Sequence, residues 1–241
     1  MKFRDIRALV ALAVSTFAFA GQARAESAAV DGGANATVRA AAVATTPQAA
    51  ALADLARGFD MLRAGRQAQA VALFDRVIAR LDPPAQGDAR ARFCGSQGAE
   101  AVHGAVTLDP AVCDAHFGRG FALIDLGRGD LAEAALRRAT EMAPTNAHYA
   151  NEYAELYKSR REWAESYRLF ARAWSVADKT PGSPDASVAA RALRGMGFNK
   201  MQLGDYDAAE ELFRRSQAFE PDSLAAKAEL GHLARRKAIG S

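Results

Sequence analysis

Two cysteines and four histidines are the side chains of this 241-residue chain with the widest chemical reach. Cys113 and His116 stand one turn apart on a helix, the spacing at which an imidazole can activate a thiol. Such a pair hydrolyses a substrate only in a shaped cleft and with a third group to orient the imidazole, and the sequence names neither. Adding Cys94 and His103 gives four metal-ligating side chains, but their spacing matches no standard zinc pattern. A disulfide between Cys94 and Cys113 is the third chemistry, open to a chain that reaches an oxidising compartment. Closing a loop of this size adds about 3 kcal/mol in the chain-entropy account. Two reduced, buried thiols are the alternative. No Gly-rich phosphate loop follows a strand, no His-Glu-x-x-His occurs, and no Cys pair has x-x spacing. The reading is a protein that is not an enzyme, with no cofactor and no metal.

The N-terminus bears on the compartment. Lys2, Arg4 and Arg7 precede an apolar run from Ala8 to Ala20, and Ala23 and Ala25 place small residues before a cut ahead of Glu26. This three-part layout predicts a cleaved secretory signal over residues 1–25. The apolar run falls short of the roughly 20 residues that a membrane-spanning helix needs. No later segment reaches that length, so the expected product has no membrane span and resides in a bacterial periplasm. The formal charge of +3 lies entirely in residues 1–25, which leaves the remainder neutral. A neutral chain offers no electrostatic footprint for nucleic acid. Arg235, Arg236 and Lys237 form the one basic run, suited to the negative end of their own helix.

The elements that would position these residues are helical. Strand-like alternation is scarce, and apolar residues recur with the helical period from about residue 51. Residues 26–50 have few large apolar groups and read as a flexible linker, with Pro47 counted against helix. Residues 193–221 carry the clearest pattern. Leu193, Met196, Gly197 and Met201 line one helix, Leu203-Gly204-Asp205-Tyr206 turns, and Ala209, Leu212, Phe213 and Ser216 line a second that Pro221 closes. Small residues at 197 and 209 permit close approach of the two helices, and Phe213 fills the space where they part.

This pattern resembles a tetratricopeptide repeat, whose period is about 34 residues. Gly58, Ala70 and Phe74 hold the same relative places in a first repeat at about 51–84. Gly120, Ala132 and Leu136 do so at 113–146, and Ala154, Ser166 and Phe170 at 147–180. Residues 179–184 insert before the repeat at 190–223. Residues 85–112 read as a degenerate repeat in which Ala99 to Leu108 forms a second helix stopped by Asp109-Pro110. Leu224 to Lys237 reads as a capping helix. The resemblance implies an all-α, right-handed α-solenoid of helix-turn-helix repeats over 51–238.

In proteins of this family the first helices line a concave surface that holds a peptide or a partner helix. The resemblance places Asp114, Phe117, Phe121 and Ile124 on that surface from one repeat. The next supplies His148, Asn151, Glu155 and Lys158, and the last Arg191, Arg194, Phe198 and Met201. Phe121 and Phe198 are expected to be exposed apolar groups beside hydrogen-bonding ones. Arg191 and Arg194 suit a carboxylate, but the Asn partners used by the family's carboxylate-binding members are absent from the matching places. The implied function is a periplasmic adaptor for a protein or peptide of an envelope, secretion, pilus or cell-wall complex. Self-assembly is the second reading.

Overall fold

The computed structural model describes residues 46–82, 88, 90–95 and 103–240. The expected signal segment and residues 26–45 of the expected linker lie outside the described residues. Ala44–Ser241 form one compact unit. Helix α1 spans Pro47–Arg63, earlier than the expected start near 51. Thr46 caps it by accepting a hydrogen bond from the Ala49 amide at 3.1 Å. Pro47, counted against helix, opens it, because the first helical residue needs no N–H and benefits from a fixed φ. Gly65 turns the chain with φ +72° into α2, Gln67–Leu81.

The next segment corrects an expectation. Val106–Leu108 form a strand, β2, that pairs in parallel with β1, Arg92–Cys94, in the register Arg92 to Val106 and Cys94 to Leu108. The expected helix through Leu108 is therefore absent over its described part. Gly104, at φ +77°, and the β-branched Val106 and Thr107 suit a turn and strand. Asp109-Pro110 starts a helix where a stop was expected. The Asp109 carboxylate accepts from the Ala111 amide at 2.9 Å, and Pro110 is the first residue of α3, Pro110–Asp125.

Three regular pairs then complete the stack. They are α3 with α4, Gly129–Met142; α5, Ala147–Ser159, with α6, Trp163–Val176; and α7, Ala186–Gln202, with α8, Tyr206–Gln217. Helix α9, Leu224–Gly240, ends the described chain. Arg161 occupies the positive-φ turn (φ 65°) that Gly65, Gly127 and Gly204 fill in the other pairs.

Ring-on-glycine contacts hold the layers. Phe74 of α2 is fully buried between Gly58 of α1 and Gly118 of α3, and a methyl on either glycine would meet the ring at under 3 Å. The first pair therefore stacks directly on α3. Over its described part the segment between them is a two-stranded sheet and not a helix pair, so the second helix expected of a repeat at 85–112 is not formed there. Phe170 of α6 repeats the device between Ala154 of α5 and Gly195 of α7, and Phe213 of α8 packs on Gly197. Met201, Ala209 and Phe213 are covered by Leu230 and Leu233 of α9.

Successive first helices (α1, α3, α5, α7 and α9) touch one another, whereas successive second helices hardly meet among the described residues. A stack closer on one side than the other bends, and α3, α5, α7 and α9 therefore line its inner side. No described helix is long and apolar enough to cross a membrane.

Candidate interaction groove

Helix α3 brings the apolar part of the inner face. Its Phe117 ring stacks on Tyr149 of α5 at 5.3 Å and lies 5.0 Å from the His148 ring. Ile124 packs against the cluster that holds Tyr153 and Leu156. Phe121 is half-buried and belongs to none of the apolar clusters of the described residues. Asp114 accepts a hydrogen bond from the Tyr149 hydroxyl at 2.6 Å. Burial pushes the Asp114 carboxyl above the usual carboxylate range against the opposing effect of that bond. Burial, with Asp114 behind it, raises the Tyr149 phenol, and burial depresses His148.

Helices α5 and α7 bring the charged part. Arg191 pairs with Glu152 and lies 3.8 Å from Glu155, and Glu155 pairs with Lys158 at 2.5 Å. Burial pushes the Glu155 carboxyl up, but Lys158 and Arg191 outweigh it and hold the group below its ordinary value. Burial likewise opposes the charge of Arg191, and Glu152 and Glu155 raise it nonetheless. Arg194 pairs with Glu220, beyond the end of α8. The two arginines expected to await a carboxylate are thus committed to carboxylates of this chain. Phe198 lies edge-on to Trp163 at 5.8 Å, with the Lys158 ammonium 5.2 Å from its ring, so it belongs to an internal contact.

Two expected groove residues are withdrawn. Asn151 is fully buried, and its amide donates to the Val188 carbonyl at 3.0 Å, bracing α5 against α7 where first helices meet. Met201 is fully buried because α9 lands on it. Tyr149, Glu152, Glu220 and Glu229 were missed. A signal for two of them exists. Glu152 and Glu229 hold the places in α5 and α9 that Gly118 and Gly195 hold in α3 and α7, so a carboxylate stands where the packing asks for no side chain.

Cys94 and Cys113 are joined by a disulfide with Cα atoms 6.2 Å apart. The bond ties β1 to α3 within a buried cluster of Leu108, Val112, Met142, Ala143 and Tyr149. With both sulfurs bonded, neither is a thiolate for His116 to activate or for a metal to bind. Among the described residues no group of three or more His, Cys, Asp or Glu is placed to hold a metal.

Residues 114–146 match the tetratricopeptide repeat family model. The fold superposes on PilF of Pseudomonas aeruginosa with a TM-score of 0.58 at 17% identity, over 80% of this chain and 71% of that one. MamA gives 0.53 at 14% identity, over 79% and 84%. YrrB, described as a TPR protein with an unusual peptide-binding site, gives 0.50 at 16% identity, over 74% and 73%. A comparison with curated proteins finds no match. The architecture is that of a tetratricopeptide-repeat α-solenoid, with a family repeat at residues 114–146. This fold is one for protein–protein interaction.

Proposed function

We propose that this protein is an exported, non-enzymatic adaptor that holds a segment of another envelope protein against the inner face of its first helices. One observation carries the reading. Phe121 stands half-buried on that face outside the apolar clusters of the described residues, with Phe117 and Ile124 on the same helix and hydrogen-bonding groups beside them. An aromatic group only partly covered by its own chain gains from a partner that covers the rest. Export is supported by the basic, apolar and small-residue order of residues 1–25. The neutral charge of the rest of the chain supports a protein partner over nucleic acid.

The test is capture from envelope extract by the purified chain beside its Phe121→Ala variant, with helical content checked for both. The groove reading expects a protein that the parent retains and the folded variant loses. Equal retention by both moves the interface off the inner face. Self-association has its own observation, since Leu224 and Ile239 of α9 are 80% and 87% exposed. A mass that rises with concentration supports it, and a monomer throughout removes it.

A further inference from the structure

On the inner face the cations of α5 and α7 are spent, and two acids are not. Among the described residues, Lys158, Arg191 and Arg194 are each paired with a carboxylate of this chain. Asp114 at one end receives only the Tyr149 hydroxyl and has no cation partner among the described residues. Glu229 of α9, at the other end, has neither a hydrogen bond nor an ion pair among the described residues, although Lys158, Arg194 and His232 stand in its neighbourhood. Glu155 adds a like charge nearby. Counting Asp114, Glu152, Glu155, Glu220 and Glu229 against those three cations and Arg235, which holds in α9 the place of Lys158 in α5, the face carries one more acid than cations.

We propose that the groove takes a basic segment of a partner protein, with lysine or arginine side chains against Asp114 and Glu229 and apolar side chains over Phe121 and Ile124. This rests on the groove reading above and deepens it. Burial pushes the carboxyls of both Asp114 and Glu229 upward. A carboxylate deprived of water is stabilised by a proton or by a cation, and an arriving ammonium or guanidinium supplies the latter. An acidic segment finds the opposite. It meets two unneutralised carboxylates, and to reach Arg191 or Arg194 it must displace Glu152 or Glu220.

Three labelled peptides with one common leucine pattern test this, carrying Lys, Gln or Glu at every polar position. Their binding to the full chain is followed by fluorescence anisotropy. The Lys peptide should bind tightest and the Glu peptide weakest. Asp114→Asn and Glu229→Gln, which keep side-chain shape, should each weaken the Lys peptide by roughly five- to tenfold and leave the Gln peptide unchanged. Equal binding of the Lys and Glu peptides overturns the inference, as does tighter binding of the Glu peptide or binding of none. Phe121→Ala separates the two claims. If it weakens whichever peptide binds, the groove stands even where the charge preference fails. If it weakens none, the groove reading fails as well.

Discussion

Gly195→Ala and Gly231→Ala make one chemical change in two first helices, and the structure expects opposite effects. In α7 a methyl on Gly195 falls 2.5 Å from three carbons of the Phe170 ring. Carbon atoms in contact stand about 3.5–4.0 Å apart, so ring and helix must separate by roughly 1 Å. Phe170 is fully buried and has nowhere to retreat. Overpacking of this kind costs about 1–3 kcal/mol, and the helix preference of Ala over Gly returns about 1 kcal/mol. The expected net is a loss of up to about 2 kcal/mol by that reckoning. In α9 a methyl on Gly231 meets only the Arg235 guanidinium, at 3.7 Å, the far end of a flexible side chain. There the preference for Ala acts alone, and a gain of about 1 kcal/mol is expected. Urea denaturation followed by circular dichroism reads both. Phe170→Leu in the Gly195→Ala background should recover part of the loss, because the smaller side chain vacates the clash. The packing account fails if both variants shift stability in the same direction, or if Phe170→Leu adds its full cost in the Gly195→Ala background.

Replacing Cys94 and Cys113 together by Ser should cost about 3 kcal/mol from loop-closure entropy, seen as a fall in Tm of roughly 6–12 °C for a unit of this size; an unchanged Tm would show that the bond constrains nothing. His116 is held down to about 4, by burial first and then by Arg138 and Arg119. The unfolded chain, with an ordinary histidine near 6.5, binds a proton there that the folded chain refuses, so stability should climb as pH rises from about 4 to 6.5. The full effect is about 3 kcal/mol, and His116→Asn should flatten the climb measured by urea denaturation, leaving the part due to His148. An equally steep climb in that variant would remove His116 as its source.

The helix pairs were legible because each asks for small residues and one large apolar side chain at fixed places. Gly58 with Phe74 and Gly197 with Phe213 state that demand in the sequence itself. The mini-sheet was not legible, since a three-residue strand has no period to read and Asp-Pro closes one helix as readily as it opens another. Its pairing depends on Arg92 reaching Asp82 at 2.6 Å and on a disulfide, both contacts across the chain. The groove was legible as a face but not as an inventory. Register assigns a residue to a side of its helix, and it placed Asp114, Phe117, Phe121 and Ile124 together. It cannot say whether the next layer covers that side, which is why Asn151 and Met201 were assigned to the surface and lie in the core. Nor can it pair charges across layers, so Arg191 and Arg194 read as free while Glu152 and Glu220 already hold them. Asp54 escaped for the same reason. It is 2% exposed and bonded to Arg57, Arg76 and Arg80, an ion cluster between α1 and α2 that no local pattern announces.

The central claim is that the inner face, rather than the outer one, meets a partner. A photoreactive phenylalanine analogue at position 121, introduced into the chain in its own cells, tests it most directly. The comparison is the same analogue at Arg214 on α8, whose side chain is 69% exposed on a second helix. The account predicts a discrete protein adduct from position 121 and none from position 214. Adducts of equal yield from both positions, or from position 214 alone, would contradict it.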